Sequence, residues 1–582
     1  MPRLFMFCLT ACLLCCEFTA DRLSLHSFTA PVVVSFLIAW PTKFIHRKIR
    51  SAIQLLIGEI VFLICIADCY CQEFLNAPIS IKILSLILQT DSKEATDFFA
   101  TFISCKTFMN WRLLVSISLI ILFPVSFLAK RKKSDKSRLE AFFKLFNKKS
   151  TKVAYSILLI ACIVAEIPPT SRYLQLFNHD YDQKELEGML FKAYHKEVPT
   201  PIHRVIYACH TLSRSNATLK KIKQATLSAK ADSCSFKSPH IVLIIGESYN
   251  KHHSSIYGYH LPTTPRQSER EKNEELHLFS DVVSPWNITS NVLMDMFSLW
   301  EYGSDEKFHD FPLFPILFKN AGYSVSFTSS QFGIEGKRNG ITNIAGNYFI
   351  TDISLNKAMF TYRNKKRGRE DMKLVRIFSK YKRERDSGIP SLDIIHLIGQ
   401  HFKYSKRYPR KSAHFSANDY KEREMDIRAK ETIMHYDNAT RYNDMVLDSI
   451  LSLYENDEAI VIFIADHGEQ VYDNGEFQGR LFQDPTAEQA KYEFEVPMWI
   501  WCSRSYRDQH PDVVKSIIEA KDKPFMTDGI PQLLLSLAGI DSKWNDESHN
   551  LLSPQYKCKP RIIGGNTDYD VLMSNKGKQD GE

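Results

Sequence analysis

Two short stretches carry the residue types that chemistry needs. Residues 241–247 read Ile-Val-Leu-Ile-Ile-Gly-Glu, and residues 459–467 read Ala-Ile-Val-Ile-Phe-Ile-Ala-Asp-His. Each begins as an apolar, β-branched run of the kind that forms a buried strand. Each ends abruptly in side chains that bind metals or move protons: Glu247 in the first, Asp466 and His467 in the second. A carboxylate at the end of a buried strand is costly unless it is paired or metal-bound. Asp and His are good zinc ligands, and Gly468 permits a sharp turn off the strand. Ligands of open α/β sheets gather at the carboxyl ends of strands, so the two strand ends together predict one shared metal site. Read alone, Asp466-His467-Gly468-Glu469 is equally a strand-terminating turn.

A nucleophile belongs nearby. Thr289 immediately precedes a helix-like run over residues 291–300. A helix start offers unpaired N–H groups and the positive end of the dipole, which suits a phosphate. A zinc ion on the threonine oxygen would lower its pKa and make it an alkoxide nucleophile. The plainer role for Thr289 is a helix cap, and Ser284 and Ser290 are rivals on sequence alone.

These residues need elements to hold them. Strand-like runs recur at 241–245, 323–328, 392–397, 460–465 and 496–502, separated by helix-like stretches such as 289–300 and 431–454. The alternation predicts a mostly parallel sheet wrapped by helices. The basic segment 364–385 reads as a solvated helix face or an excursion loop. His252 and His253 are adjacent and diverge on an extended chain, so they are expected to line the cleft or the surface.

The 582-residue chain is too long for one ordinary domain. Apolar runs at residues 4–20, 25–40, 53–70, 111–129 and 153–167 read as five membrane spans. The loop 42–51 carries Lys43, Arg47, Lys48 and Arg50, and the loop 130–152 carries ten Lys/Arg against two acids. The loop 72–110 has three Lys. By the positive-inside rule the two basic loops are cytoplasmic, and residues from 170 onward lie on the opposite side. The net charge of +8 therefore indicates a membrane surface, not nucleic acid. A cleaved signal is the alternative for the first run, since Arg3 precedes it and Leu9-Thr10-Ala11-Cys12 resembles a lipoprotein cleavage site. Of thirteen cysteines, Cys8, Cys12, Cys15, Cys16, Cys65 and Cys162 lie in apolar runs and read as packing. Cys71, Cys105, Cys209, Cys234, Cys502 and Cys558 would face an oxidising compartment.

Taken together, these motifs resemble the phosphoethanolamine transferases of the bacterial inner membrane, within the alkaline-phosphatase/sulfatase superfamily. The resemblance covers nearly the whole chain. It implies an N-terminal five-helix transmembrane domain (1–168), bridging helices (169–238) and a periplasmic α/β catalytic domain of sulfatase type (239–582). It implies zinc on Glu247, Thr289, Asp466 and His467, with Thr289 carrying the phosphoethanolamine. His396-Leu397-Ile398-Gly399-Gln400-His401, followed by Tyr404 and Arg407-Tyr408-Pro409, resembles the family's HxxGSHxxxYxxRYP segment. That assigns His401 to the phosphoryl group or to a second zinc. Tyr436-Asp437-Asn438 and Tyr442-Asn443-Asp444 match as helix and packing signatures. The stretch 88–95 resembles the family's TxxxEA element and brings Thr90 and Glu94 to the ethanolamine headgroup; its plain alternative is a turn of helix.

Lipid A-directed members have His-Gly after the DHGE motif, where this chain has Gln478-Gly479-Arg480. Glutamine does not replace histidine as an ordinary zinc ligand, so the departure counts against a second zinc there. Gln478 and Arg480 are expected to bind substrate. These features look more like the members acting on phosphorylated heptose of the lipopolysaccharide core. The implied donor is phosphatidylethanolamine and the implied acceptor lipopolysaccharide. The alternatives are transfer to lipid A or a periplasmic glucan, phosphoglycerol transfer, or a non-catalytic membrane scaffold. Formylglycine sulfatases need a C-x-P-x-R nucleophile, and Cys558-Lys559-Pro560-Arg561-Ile562 lacks the final Arg.

Overall fold

The computed structural model describes residues 2–17, 24–74, 78–80, 83–84, 110–129, 149–177, 200–302, 304–333, 352–366, 368, 370–473, 477–480 and 485–579. The chain divides into two compact units, Met1–Ser215 and Asn216–Glu582.

The first unit is helical. Its helices are α1 (Pro2–Glu17), α2 (His26–Ala39), α3 (Arg47–Phe74), α4 (Trp111–Ala129) and α5 (Lys149–Gln175), with α6 (Pro201–Ser228) continuing into the second unit. Five of these stand where the five apolar runs were. Three stretches, His26–Phe44, Ile49–Glu73 and Lys152–Gln175, are long and apolar enough to cross a membrane; Phe5–Glu17 and Trp111–Pro124 are shorter. All five expected spans are helical, and three of them are of spanning length and composition among the described residues.

The second unit is built on a seven-stranded sheet. Its strands are β1 (His240–Gly246), β2 (Leu276–Phe279), β3 (Ser324–Ser329), β4 (Tyr362–Arg363), β5 (Ser391–His396), β6 (Ala459–Ala465) and β9 (Met498–Cys502). A hairpin of β7 (Gln470–Val471) and β8 (Gln478–Gly479) stands apart from it. The spatial order is β2-β9-β6-β1-β5-β3-β4. The sheet is mostly parallel, as expected, and mixed only through β9, which runs antiparallel to both its neighbours. The central strands β1 and β6 are buried along almost their whole length, which explains their unbroken apolar sequence. β2 and β4 were not anticipated; both are edge strands, only four and two residues long. The basic segment 364–385 holds a helix, α8 (Asp371–Glu384), whose Leu374, Val375 and Phe378 are buried while Lys373, Arg376, Lys380 and Arg383 are exposed and Lys382 turns in to Asp457.

One long helix, α9 (Ile427–Leu451), fastens the loops around the sheet's carboxyl end. Tyr436 takes a hydrogen bond from the Asn250 amide (2.7 Å) and gives one to the Ser248 carbonyl (2.6 Å). Asn438 accepts from the amides of His414 and Phe415. Asp444 accepts from the amides of Arg266 and Gln267. Asp437 binds His253 Nδ1 at 2.6 Å and the hydroxyls of Tyr259 and Tyr420. His253 is 1 % exposed, which corrects its expected place in the cleft or on the surface. Its Nε2 meets Asp473 at 3.1 Å. Burial opposes the charged imidazolium, but Asp437 and Asp473 outweigh it and raise His253 to about 9. A raised histidine stabilises the fold fully below its unfolded value near 6.5 and loses that contribution as pH passes the folded value. His253→Asn should therefore lower the thermal midpoint at pH 6, and the gap to the natural protein should narrow by pH 10. A gap that stays constant across that range would refute this linkage.

Candidate functional site

The site follows from strand register. Gly246 of β1 stands opposite Ala465 of β6, so the next residues, Glu247 and Asp466, leave the sheet side by side. The Asp466 amide donates to the Gly246 carbonyl (3.1 Å) and the Tyr249 amide to the His467 carbonyl (2.9 Å), which locks the two turns together. On the other side, His396 at the end of β5 lies opposite Ile245 of β1 and Ser329 of β3. Glu247, Asp466 and His467 are all fully buried, and their ligand atoms lie within 4.8 Å of one another.

Two glycines make this packing fit. A Cβ on Gly399, where φ is +41°, would come within 2.8 Å of the Glu247 carbonyl. One on Gly468 would come within 2.2 Å of the Tyr492 carbonyl. Backbone on both sides cannot yield to such contacts.

The donor atoms converge with their lone pairs facing inward. His467 Nδ1 donates to the Gly468 carbonyl (2.7 Å), which leaves Nε2 as an acceptor. That Nε2 faces Asp466 Oδ2 at 3.3 Å and Glu247 Oε1 at 3.5 Å. Asp466 Oδ1 accepts from the amides of Ser248 and His467, but its buried Oδ2 has no hydrogen-bond partner among the described residues. Burial and the neighbouring Glu247 carboxylate push Asp466 well above the usual carboxylate range. Burial, then Arg480, holds His467 neutral with a pKa of about 3. Two buried carboxylates and a neutral imidazole aimed at one point repel one another unless a cation lies between them. The residues fit zinc in type, and the orphaned oxygen supplies the ligand position.

Thr289 lies at this point. It is the first residue of α7 (Thr289–Phe297), and the residue in the cap position is Ile288. Its hydroxyl does not cap the helix. It donates to Glu247 at 3.1 and 3.2 Å and lies 3.2 Å from His467 Nε2. Among the described residues no side chain caps α7; the Asn291 amide bonds the Ile288 carbonyl, which leaves the Thr289 and Ser290 amides to face an anion. The rivals point elsewhere: Ser290 bonds Asn291 and Ser284 bonds the Trp286 carbonyl.

Arg480 Nη1 approaches His467 Nε2 at 2.7 Å and donates to the Asn287 carbonyl. Gln478 is buried on β8 opposite Val471, two residues before it. His401 lies two residues beyond Gly399, on the loop packed against Glu247. Its Nδ1 contacts the Phe402 carbonyl at 2.8 Å, and Arg407 ties down the loop through the carbonyls of His401 and Phe402. Thr90 and Glu94 lie outside the described residues. Gln331 was not anticipated. Its Nε2 donates to Glu247 Oε2 (2.7 Å) and the Leu397 carbonyl (3.1 Å) and touches His396 Nε2 (3.2 Å). Its signal was present but weak: a polar residue just after the strand-like run at 323–328.

The sequence profile of the sulfatase family matches residues 239–540. The chain belongs to the sulfatase family. It is similar to phosphoethanolamine transferase EptC of Escherichia coli (strain K12), at 28% identity over 348 residues. That match covers 57% of each chain, so the similarity spans little more than half of the curated relative. The solved C-terminal periplasmic domain of Escherichia coli EptC in complex with Zn is also similar, at 25% identity and a TM-score of 0.50, over 59% of this chain and 96% of that one. The integral membrane protein lipooligosaccharide phosphoethanolamine transferase A (EptA) from Neisseria meningitidis matches at a TM-score of 0.59 and 17% identity. It covers 94% of this chain and 97% of that one, a likeness of fold.

The orphaned oxygen makes a direct test available. Asp466→Asn is nearly isosteric and keeps an acceptor for both backbone amides. Purified Asp466→Asn protein should retain its fold by circular dichroism but lose most of its zinc by elemental analysis, about tenfold or more in affinity. Zinc content equal to that of the natural protein would remove Asp466 from the ligand set.

Proposed function

We propose that this sulfatase-family protein transfers phosphoethanolamine from phosphatidylethanolamine to lipopolysaccharide, through a covalent intermediate on Thr289. The observation that carries the reading is the Thr289 hydroxyl at 3.1–3.2 Å from Glu247 and His467, at the start of an uncapped helix. The similarity to phosphoethanolamine transferases supports the donor class.

Glu247, Thr289, Asp466 and His467 would hold zinc, which supplies positive charge to the attacking oxygen and the phosphoryl group when bound. Thr289 Oγ1 attacks the donor phosphorus and its proton leaves along the contact with Glu247. The Oγ–P bond forms as the P–O bond to the glyceride breaks, and diacylglycerol departs. The first N–H groups of α7, those of Thr289 and Ser290, donate to the phosphoryl oxygens, and their fixed direction stabilises the charge that develops. His401 holds a phosphoryl oxygen or returns a proton to the departing oxygen. In the second step an acceptor oxygen attacks the same phosphorus and frees Thr289. Arg480 is a guanidinium already beside the ligand set; once a metal takes His467 Nε2, its donors are available to phosphate. With Gln478 in place of a histidine, one zinc is the reading favoured here.

The acceptor proposed is the phosphorylated heptose of the lipopolysaccharide inner core. Residues 1–168 form the membrane domain, 169–238 bridge, and 239–582 form the catalytic domain in the periplasm. The basic cytoplasmic loops and the three long apolar helices support an inner-membrane, multi-pass placement. Thr90 and Glu94 are proposed to meet the donor's headgroup.

Detergent-purified protein incubated with phosphatidylethanolamine should carry a phosphoethanolamine adduct on Thr289, visible by peptide mass spectrometry. The adduct should vanish in Thr289→Ala and in chelator, and transfer should fall on the order of 10⁴-fold or more. An adduct on another residue, or full transfer by Thr289→Ala, would overturn the mechanism.

A further inference from the structure

The first unit contains a second reactive feature, separate from the phosphate chemistry. α1 and α3 each carry cysteines four residues apart, Cys12/Cys16 and Cys65/Cys69. That spacing places each pair on one helix face. The two faces meet: the sulfurs of Cys16 and Cys69 lie 3.4 Å apart, and Cys16 Sγ also approaches the Cys65 carbonyl at 3.5 Å. Both thiols are free, and Cys16 and Cys69 are 0 % and 1 % exposed.

The approach is enforced by an ionic clamp on the neighbouring residues. Glu17 follows Cys16, and Asp68 precedes Cys69. One guanidinium, that of Arg204, binds both carboxylates, Glu17 Oε1 at 2.9 Å and Asp68 Oδ2 at 2.6 Å. A second, Arg112, donates to the carbonyls of Cys15 (3.0 Å) and Cys16 (2.9 Å) and to Gln72 Oε1 (2.7 Å). The last turn of α1 is thereby tied to α3 and α4 at the level of the thiols. An apolar contact needs no such device; two sulfurs held in register by buried charge are arranged for a bond.

We infer that Cys16 and Cys69 are an oxidisable dithiol whose disulfide staples α1 to α3. Each thiol gives up its hydrogen and one S–S bond forms. The two electrons and two protons pass to a small oxidant: a disulfide leaves as two thiols, a diazene as a hydrazine. In the proposed topology both cysteines lie at the helix ends on the oxidising side of the membrane. The thiol geometry does not depend on the catalytic reading, and the two fail separately.

Full-length protein in detergent is divided between the diazene diamide and dithiothreitol. Remaining thiols are blocked with N-ethylmaleimide after denaturation, and peptides are mapped by mass spectrometry. Diamide should produce a linked peptide pair joining Cys16 to Cys69, absent after dithiothreitol, with blocked thiols falling by two per chain. Cys69→Ser should abolish the link, and Cys558→Ser, at an exposed site in the other unit, should leave it intact. Maleimide on both Cys16 and Cys69 after diamide, or a link from Cys16 to another cysteine, would overturn the inference. The natural chain alone decides between these outcomes, so the test survives a variant that fails to fold.

Discussion

Everything in the second unit depends on the pairing of β1 with β6. Their register is set by two buried, nearly all-apolar strands, and a slip of one residue would turn each strand's side chains to the opposite face. Because Gly246 faces Ala465, the first polar residues after each strand emerge together in a fully buried place. Glu247 and Asp466 thus confront each other at the cost of desolvating two carboxylates. That cost is the reason to infer a cation. Neutral His467, with its lone pair turned inward, and the orphaned Asp466 oxygen complete the set of acceptors, beside which the Arg480 guanidinium reaches only His467 Nε2 by hydrogen bond.

The surrounding structure serves to keep that arrangement from relaxing. Left alone, the turns after β1 and β6 would rotate their acids toward solvent. Tyr436 grips the Ser248–Asn250 backbone, Asp371 takes the amides of Ile398 and Gly399, and Gly399 packs directly on Glu247. Arg407 then fixes the adjacent carbonyls of His401 and Phe402. The residues that match the transferase signatures without touching the reacting groups are fasteners. Tyr436, Asn438, Asp444 and Arg407 bond loop backbone, whereas Asp437 gathers the side chains of His253, Tyr259 and Tyr420. Preorganisation of this kind lets fixed dipoles and charges act at the phosphoryl group without first reorienting.

The first unit solves a related problem in another way. Buried charge at the ends of α1 and α3 is neutralised internally, with Arg204 shared between Glu17 and Asp68 and Arg112 capping the final carbonyls of α1. Charges in an apolar setting survive when each finds a partner. Such a network specifies which helix faces meet, where apolar side chains alone would allow several.

Much of this was legible in the sequence, for identifiable reasons. The five buried strands with long apolar runs announced themselves because burial on both faces demands such runs. Glu247, Asp466 and His467 stood out because charge directly after them is expensive. Short edge strands such as Tyr362–Arg363 carried no comparable pattern, and the interspersed β9 does not reveal its direction in its composition. Thr289 could be placed at a helix start by sequence, but its choice over Ser284 and Ser290 waited on which hydroxyl faces Glu247. Gln331, the burial of His253 and the meeting of Cys16 with Cys69 were decided only in three dimensions. Local sequence determines which residues must be buried and where strands end; it carries no record of which distant atoms then share a point in space. That follows from register, helix packing and the charges that must be paired.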